Sequence, residues 1–426
     1  MTFARASSLL AAAILLTACA LAQEKDAAQL LDAYLERTQG LERTPVSPGN
    51  HATILIDGPR THRAMFEAMA QARNHINLQT YILEAGDIGE ELARLVGAKV
   101  IEGVRVSILY DSVGSLSTPK DYFKRLRQAG AAVCEFNPVN PIRARTGWRL
   151  NNRDHRKILV VDGRVAFTGG INISSTYSAA SRSNRPAQDV KPGEESPRGW
   201  RDTQVRVEGP AVARFQRLFL DAWASQGCGP IQSARYYPEL ERRGSLEMQV
   251  LSSEPGAEKS EMYAALLEAI GKAGKRVWLT FGYFVPDPLT LQSLVGAARR
   301  GVDVRLVLPG FSDFWAPVYA GRSHYDELLA AGVRIFEWRE ALMHAKTAVI
   351  DSSWSSIGST NLDWRSFVHN YEADLIVHDR GFAREMERRF IADLEQSVEV
   401  RPARWRERGS FERLKEWFAR QWEYLL

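Results

Sequence analysis

The amino-acid sequence predicts an α/β fold in which two homologous halves each contain a mixed β-sheet flanked by helices. Three observations predict it: strand-like and helix-like segments alternate, this alternation occurs twice along the chain, and short sequences recur at corresponding places. The chain has 426 residues, of which 45% are apolar and 25% charged. It is therefore long enough for two fused halves, and its composition is typical of a globular protein.

The first copy of the alternation is predicted at residues 45–233, after a helical lead-in at residues 27–40. One segment breaks the pattern, because residues 178–197 are rich in Ser, Pro, Asn and charge and have no period. We predict a long loop there, which is either a lid over a nearby site or a disordered insertion. Strands are predicted at residues 53–56, 76–82 and 104–110, with amphipathic helices at 62–72 and 89–102 between them.

The second copy is predicted at residues 246–400, joined to the first near residues 235–245. Glu102-Gly-Val-Arg-Val-Ser-Ile-Leu in the first copy matches Arg300-Gly-Val-Asp-Val-Arg-Leu-Val in the second. This local likeness favours duplication over a merely shared period. Strands are predicted at residues 248–251, 277–284 and 304–308, with helices at 259–273 and 289–300 between them.

The N-terminal residues 1–22 have the features of a secretory signal, with a short positive segment followed by an apolar run. Within them Leu16-Thr-Ala-Cys19 resembles the lipobox of bacterial lipoproteins, in which the cysteine becomes the lipidated first residue. Ordinary cleavage after Ala20-Leu-Ala22 is the alternative. We therefore expect a protein that is exported to the periplasm and anchored to a membrane through Cys19 if the lipobox is used.

The composition limits the partners that the sequence predicts. Lys and Arg number 55 against 51 Asp and Glu, and the resulting net charge of +4 is too small to indicate a nucleic-acid partner. Cys134 and Cys228 are compatible either with a disulfide in an oxidising compartment or with two buried thiols. The sequence contains no CxxC or Cys/His cluster that would predict a structural zinc site.

Two copies of one motif are the main indication of chemistry. His155-Arg-Lys157-Ile-Leu-Val-Val-Asp162 is followed after six residues by Gly169-Gly170-Ile-Asn172. In the second copy, His344-Ala-Lys346-Thr-Ala-Val-Ile-Asp351 is followed after six residues by Gly358-Ser359-Thr-Asn361. A single motif histidine is most often a satisfied core residue, but two matched copies in corresponding halves predict a site.

We expect the His and Lys of each motif to lie on a strand, where a spacing of two residues directs both side chains to one face. An imidazole, an ammonium and an amide then converge at each motif. These groups suit a phosphodiester, because its reaction develops charge on the non-bridging oxygens and requires a proton for the leaving oxygen.

The two motifs resemble the HKD motifs of the phospholipase D superfamily, and the likeness covers most of the chain after about residue 50. The chain is most similar to bacterial cardiolipin synthases and their phospholipase D-like relatives. The segments that carry this narrower resemblance are Gly282-Tyr-Phe-Val-Pro-Asp287, Gly321-Arg-Ser-His-Tyr325, Leu342-Met-His-Ala-Lys346 and Asn361-Leu-Asp-Trp-Arg-Ser366.

The resemblance implies an active site between the two halves and a phosphohistidine intermediate. By family precedent, His155 is the nucleophile and His344 the acid and base. It also implies that no metal or other cofactor is required, because the lysines supply the positive charge. Phosphate oxygens would be held by Lys157, Lys346, Asn172 and Asn361. Ser359 would add a hydroxyl, and Gly170 occupies the matching phosphate-binding position in the first half.

In the family, the motif aspartates, here Asp162 and Asp351, tend to be structural, and a separate acid orients each histidine. We assign Glu372 to the histidine of the second half. We assign Asp202 to the histidine of the first half, where Asp189 and Glu194 in the loop are alternatives. Since Gly170 stands where the second half has Ser359, the two motifs are not equivalent, which fits histidines with different roles.

The C-terminal segment 401–426 is predicted to contain an amphipathic helix. Its apolar side either lies in a bilayer interface or packs on its own domain. The helical spacing places Phe411, Leu414, Phe418, Trp422 and Leu425 on one side, with Trp417 beside them.

The resemblance favours a phosphatidyltransferase of the cardiolipin synthase type, acting on a phosphatidylglycerol-like phospholipid at a membrane surface. A phospholipase D that uses water as the acceptor has the same motifs, and the motifs do not separate the two. A secreted nuclease is disfavoured by the balanced charge, and a catalytically inactive lipid-binding protein by two complete motifs.

Overall fold

A computed structural model describes residues 44–140, 148–181, 199–231, 234–255, 260–312 and 314–425. The predicted signal, Cys19, the helical lead-in and nearly all of the predicted loop at 178–197 lie outside these residues. Those predictions therefore stay predictions.

The first half contains eight strands and four helices among its described residues. The strands are β1 Ser47–Ile56, β2 His75–Thr80, β3 Arg105–Asp111, β4 Ala132–Phe136, β5 Arg153–Asp154, β6 Ile158–Val161, β7 Val165–Gly169 and β8 Thr203–Glu208. The helices are α1 Asp57–Ala70, α2 Asp87–Ile101, α3 Lys120–Gln128 and α4 Val212–Ser225.

The second half contributes eight further strands and eight helices to the described part of the chain. The strands are β9 Leu246–Ser253, β10 Arg276–Phe281, β11 Asp303–Pro309, β12 Arg334–Trp338, β13 Lys346–Ile350, β14 Trp354–Gly358, β15 Asn370–His378 and β16 Ser397–Glu399. The helices are α5 Glu261–Lys272, α6 Pro288–Arg299, α7 Trp315–Arg322, α8 Tyr325–Ala330, α9 Trp364–Val368, α10 Arg380–Leu394, α11 Pro402–Arg406 and α12 Ser410–Arg420.

The strand order confirms the duplicated α/β fold. In the first half the strands are ordered β1-β8-β7-β6-β2-β3-β4, and in the second β9-β15-β14-β13-β10-β11-β12, with β16 at the outer edge. Each of the seven strands in the first order has a counterpart at the same position in the second, whereas β5 and β16 lie outside this correspondence. Strands β2, β3 and β4 are parallel, as are β10, β11 and β12, whereas the other neighbours along this path are antiparallel. Each half therefore has a mixed sheet, and β1 joins the two by pairing with β9.

Local sequence signals account for the boundaries of several elements. Helix α6 begins after Asp287, whose carboxylate accepts the backbone N–H groups of Leu289 and Thr290, and Pro288 occupies the first turn. The hairpin between β6 and β7 turns at Asp162 and Gly163, which both have positive φ. Positive φ at both central residues of the turn from Val161 to Arg164 is the geometry of the type I′ turns that hairpins favour.

A shared hydrophobic core holds the two halves together. Its buried members include Val160 and Phe215 from the first half and Val250, Trp278 and Phe390 from the second. Helices α4 and α10 contribute to this core, while separate cores lie on the other side of each half. Because apolar burial is the main favourable contribution to folding, the shared core fixes the two motifs relative to one another.

The two cysteines outside the signal form a disulfide. Cys134 on β4 is bonded to Cys228, which follows α4, and the bond closes a loop of 94 residues. Of the two alternatives that the sequence left open, the structure therefore has the paired form.

We expect Cys134→Ser/Cys228→Ser to lower the free energy of unfolding by about 2–5 kcal/mol, because the disulfide restricts the unfolded chain. Urea unfolding of the oxidised parent and the double variant measures the difference. The reduced parent is the control and should match the variant. Equal stability of all three proteins would contradict a structural role for the bond.

The C-terminal helix α12 packs against α7, but its apolar side faces outward. Glu416, Ala419 and Glu423 are buried beneath it, whereas Phe411, Leu414, Trp417 and Phe418 are exposed. The idea that the apolar side packs on its own domain is therefore wrong, since the buried side is mostly polar. Within the described ranges, no helix combines the length and apolar character needed to cross a membrane.

Candidate active site

Two short backbone pairings between the halves bring the two motif histidines close together. The two residues of β5 pair with the start of β15, and the His155 N–H donates to the Tyr371 carbonyl at 2.9 Å. In the reverse direction, Arg201 bridges to Met343, and the His344 N–H donates to the Arg201 carbonyl at 2.8 Å. Each histidine is thus fixed by a backbone segment of the opposite half.

The acids that orient the histidines are exchanged between the halves. His155 Nδ1 lies 3.0 Å from both carboxylate oxygens of Glu372, and His344 Nδ1 lies 2.7 Å from Asp202 Oδ2. The predicted pairing within each half is therefore wrong, although the two acids are the ones predicted. The reason is the pair of cross-half bridges, which places His155 beside β15 and His344 beside the segment that precedes β8.

Both motif lysines are buried behind the histidines. Lys157 Nζ donates to the His155 carbonyl, and Lys346 Nζ donates to the His344 carbonyl. His155 and Lys157 precede β6, and His344 precedes β13, so the prediction that each His and Lys share a strand is wrong. The lysines instead fold back onto the backbone of their own histidines, an arrangement that is the same in both halves.

The two motif asparagines line the same cavity as the histidines. The Asn172 side-chain carbonyl accepts the Ile82 N–H at 3.0 Å, and its amide nitrogen lies 3.4 Å from the Tyr177 hydroxyl. Asn361 is anchored through its backbone N–H, which donates to the Ser366 hydroxyl at 3.1 Å. Both side chains can therefore present an amide to a phosphate.

The other two predicted phosphate ligands, Ser359 and Gly170, contact neighbouring backbone and carboxylate groups. The Ser359 hydroxyl accepts the Ala373 N–H at 3.0 Å and contacts Glu372, where it partly offsets the rise in pKa that burial causes. The Gly170 N–H donates to the Thr203 carbonyl at 3.1 Å. A Cβ at Gly170 would lie 2.2 Å from Asp202 Oδ1, so glycine gives that carboxylate the space to reach His344. Neither residue is among those that line the cavity, and the assignment of both to phosphate binding stays a prediction.

The motif aspartates also lie away from the cavity, at the turns that close the β6–β7 and β13–β14 hairpins. The Asp162 carboxylate accepts the N–H groups of Arg73, Asn74 and His75 at 2.8–2.9 Å. Asp351 does the same for residues 274–276. Although burial opposes it, these three N–H groups lower the pKa of Asp351. Both aspartates tie the hairpin to the start of a neighbouring strand, which agrees with the structural role that the family resemblance implies.

Several aromatic residues around the histidines were not predicted as site residues. The Tyr81 ring lies edge-on to His155 at 5.1 Å, and the Trp200 and Tyr283 rings lie 5.0 and 6.2 Å from that of His344. The Tyr177 hydroxyl is 3.1 Å from His344 Nδ1. Trp200 is next to Arg201 and Asp202, and Tyr283 follows Gly282 in a segment that carries the family resemblance. Proximity to these motifs was therefore the available signal.

The histidines open into a cavity of about 440 Å³ between the halves. Because each Nδ1 is held by a carboxylate, the Nε2 atoms are the ones left for a ligand. Arg365 provides a half-buried cation in the cavity wall, and its guanidinium Nη1 lies 3.0 Å from Asn151 Oδ1. The wall is completed by Tyr81, Ile82, Val113, Arg153, Asn172, Trp200, Tyr283, Phe314, Pro317, Asn361, Asp363 and Asn370.

Burial sets the charge state of the histidines. Loss of hydration, together with the lysine charges, lowers the pKa of His155 well below its usual value and that of His344 to about 4. Asp202 opposes this shift at His344. Both imidazoles are thus neutral near pH 7, as a nucleophile requires. A bound phosphate anion would offset the lysine charges and raise the pKa of the histidine that has to become an acid.

Burial also shifts the pKa values of two neighbouring charged groups toward the neutral pH range. It lowers the pKa of Lys157 to about 7 and raises that of Glu372 to about 7, and each partly offsets the shift of the other. Strongly shifted groups gathered in one cleft are typical of active sites. Two imidazoles and two amides at the cavity, with the charge of two lysines behind them, can together bind a phosphodiester and exchange one of its ester bonds.

Comparison with known proteins agrees with this arrangement. A family described as "Cardiolipin synthase, PLD-like domain" matches residues 65–184 and 266–394, one stretch in each half. Cardiolipin synthase A of Pseudomonas entomophila (strain L48) is 36% identical over 375 residues, which cover 86% of this chain and 73% of that protein. A cardiolipin synthase of Alkalihalophilus pseudofirmus is 34% identical over 380 residues, covering 88% of this chain and 72% of that protein.

The crystal structure of phosphatidylserine synthase from Haemophilus influenzae Rd KW20 has the same fold. It superposes with a TM-score of 0.65 over 95% of this chain and 100% of that one, at 13% identity. The fold, the duplicated motif and the relatives agree in identifying the chain as an enzyme of the phospholipase D superfamily that is related to phosphatidyltransferases. This chain belongs to the cardiolipin synthase family of phospholipase D-like enzymes.

Proposed function

We propose that this enzyme transfers a phosphatidyl group from one phosphatidylglycerol-like phospholipid to the hydroxyl of a second, releasing glycerol and forming cardiolipin. The observation that carries the proposal is the pair of neutral, carboxylate-held histidines in one cavity between the halves, with a lysine behind each. The names of the relatives support the choice of lipid.

The reaction proceeds in two steps through a phosphohistidine. Binding of the phosphate anion first allows His344 to take up a proton on Nε2. His155 Nε2 then attacks phosphorus, the bond from phosphorus to the glycerol oxygen breaks, and His344 gives that oxygen its proton. The hydroxyl of the second lipid then returns a proton to His344 and attacks phosphorus, which frees His155. Lys157 and Lys346 offset the phosphate charge throughout, so this scheme needs no metal ion.

Purified enzyme incubated with phosphatidylglycerol, and separately with single-stranded DNA, tests this function. Cardiolipin and glycerol in equal amounts are the expected products. If phosphatidic acid formed without cardiolipin, the enzyme would be a phospholipase D and not a transferase. Cleavage of DNA with no turnover of lipid would overturn both lipid functions.

We expect kcat/KM for transfer to fall as the pH rises through about 7. The buried Lys157 has its pKa lowered to about 7, so it carries its positive charge below that pH and loses it above. Since a bound phosphate favours the charged ammonium, the corresponding fall in kcat should occur at higher pH. Rates measured on a short-chain, monomeric lipid between pH 5 and 9 test this, and a kcat/KM that stays level from pH 7 to 9 would contradict it.

Arg365 is expected to bind the phosphate of the acceptor lipid. Its half-buried side chain lines the cavity, and its charge lowers the pKa of His155, so it lies within electrostatic range of the reacting phosphorus. A charge-assisted hydrogen bond contributes about 1.5–3 kcal/mol. Arg365→Gln should therefore raise the ratio of phosphatidic acid to cardiolipin by about tenfold or more. Arg365→Lys retains the charge and serves as the control, and an unchanged ratio in Arg365→Gln would rule out this role.

We also propose that the protein is exported and anchored through Cys19, as the lipobox-like sequence suggests. The disulfide between Cys134 and Cys228 supports an oxidising compartment. Incorporation of labelled palmitate into the protein, and its loss in Cys19→Ser, is the expected result. Export without labelling would favour ordinary signal cleavage.

A further inference from the structure

The C-terminal helix α12 has an apolar outer side made of Phe411, Leu414, Trp417 and Phe418, called here the α12 face. The exposed fractions of these four residues are 68%, 56%, 56% and 50%. Large apolar side chains of a helix normally point into a core, because their burial is favourable. A row of four on one helix therefore indicates a surface that meets something else.

Polar contacts hold the helix in this orientation. Arg408 Nε contacts both carboxylate oxygens of the buried Glu416 at 3.0 Å, and its Nη2 contacts Asp326 at 2.7 Å. Just beyond the helix, Glu423 contacts the buried His324 at 3.0 Å. Turning the α12 face inward would break these pairs and leave buried charges unpaired, which is costly. The outward orientation is therefore built into the fold.

The α12 face continues to the mouth of the active-site cavity. The Lys415 ammonium lies 4.6 Å from the Phe411 ring and 5.0 Å from the Tyr319 ring on α7. The Tyr319 ring lies 6.0 Å from that of Trp315, which is 48% exposed. Phe314, the residue before Trp315, is half exposed and lines the cavity. Apolar and aromatic surface thus extends from α12 to the point where a substrate would enter.

Positive charge surrounds this apolar surface. Residues 401–420 contain seven Lys and Arg against three Glu, an excess equal to the net charge of the entire chain. Arg404, Arg406, Arg413 and Arg420 are exposed, whereas Glu416 is buried against Arg408. Aromatic side chains among cations match the interface of a bilayer with anionic head groups. A second copy of this chain would bring the same cations together and be repelled.

We propose that the α12 face docks on an anionic phospholipid bilayer, with α12 in the plane of the interface and the cavity mouth at the membrane surface. The proposal rests on the lipid substrate proposed above, because a bilayer presents that substrate. Docking in this way lets the phosphate of a lipid reach the histidines while its acyl chains stay among those of the membrane. It assigns the membrane contact to this helix, independently of any anchor at Cys19.

Binding to vesicles of phosphatidylglycerol and phosphatidylethanolamine tests the proposal. The variant Phe411→Ser/Leu414→Ser/Trp417→Ser/Phe418→Ser should lose at least tenfold in vesicle affinity and in the rate on vesicles. Its rate on a short-chain, monomeric phosphatidylglycerol should stay within twofold of the parent. The control is Ile101→Ser, since Ile101 is 87% exposed but lies at the end of α2 opposite the cavity, and this variant should behave as the parent.

The outcomes separate docking from catalysis. Unchanged vesicle affinity and vesicle rate in the fourfold variant would overturn the docking surface and leave the transferase function intact. A parent that binds vesicles but forms no product would overturn the function and leave docking intact. If the α12 face instead mediated self-association, the parent would be a dimer without lipid and the fourfold variant a monomer, which would also overturn the proposal.

Quenching of tryptophan fluorescence by lipids with brominated acyl chains measures the insertion of α12 into the bilayer, and it does so independently of any anchor at Cys19. Trp417 should enter the region of the bromines, so Trp417→Phe should quench less than the parent. The matched control is Trp354→Phe, because Trp354 lies at the start of β14, near Asp351 and away from the cavity. Equal quenching in the parent and Trp417→Phe would show that α12 does not enter the bilayer.

Discussion

Alanine in place of either His155 or His344 should reduce phosphatidyl transfer on the order of 10⁴-fold or more, because one forms the covalent bond and the other moves the proton. Each imidazole is held through Nδ1 by a carboxylate of the other half, and none of the described residues in the cavity wall offers a third imidazole. Product formation from radiolabelled phosphatidylglycerol measures the loss. The control is His378→Gln, because His378 lies on β15 six residues beyond Glu372, and it should retain the parental rate.

The roles of the two histidines can be distinguished with a phosphodiester that has a nitrophenol leaving group, whose departure needs no proton. With this substrate, His344→Ala should still form the phosphohistidine, and mass spectrometry of the trapped protein should locate it on His155. His155→Ala should form none. An adduct on His344 in the His155→Ala variant would reverse the assignment made here by family precedent.

The second large effect concerns stability and comes from Arg201. Its guanidinium is buried between the halves, with Nε 2.9 Å from Asp393 Oδ1 and Nη1 3.8 Å from Asp57 Oδ1. Arg201→Met leaves two buried carboxylates without their cation, so the free energy of unfolding should fall by about 3–5 kcal/mol. Urea unfolding at pH 7 measures this change.

Two controls accompany the Arg201 measurement. Arg217→Met removes an exposed arginine whose partner Asp221 lies one turn away on α4, and it should leave stability unchanged within error. Arg201→Met/Asp393→Leu removes one of the stranded carboxylates and should recover part of the loss. A loss below about 1 kcal/mol in Arg201→Met would mean that water or rearrangement satisfies both acids.

The fold was predictable because duplication appears in the sequence twice over, as repeated periods and as matching segments. The predicted helix at 89–102 corresponds to α2, and the predicted strand at 304–308 falls within β11. What the sequence could not provide is contact between distant segments. β5 has two residues, too few for any period, yet it decides that His155 meets Glu372. The pairing of each histidine with an acid of the other half therefore could not be predicted from the sequence pattern or the spacing of the motifs.

The remaining differences have local causes. The sequence showed that Gly170 and Ser359 correspond, but their use depends on which carboxylate lies next to them. The amphipathic pattern of α12 was correct for Phe411, Leu414 and Phe418, although the helix ends at Arg420, before Trp422 and Leu425. Periodicity does not say which side of a helix is buried. The ion pairs of Glu416 in the helix and of Glu423 just beyond it fix its orientation. Aromatic residues such as Trp200 and Tyr283 carry no spacing signal, because their role depends on the position of His344.

The reciprocal exchange of acids has an implication for how such a chain could arise. Each half supplies an acid of the same kind to the histidine of the other half. Such reciprocal contacts are found at the interface of a two-fold symmetric homodimer. A single ancestral half would thus have been inactive alone and complete only as a pair. Once the two copies were joined in one chain, each became free to diverge. One now has aspartate and glycine where the other has glutamate and serine.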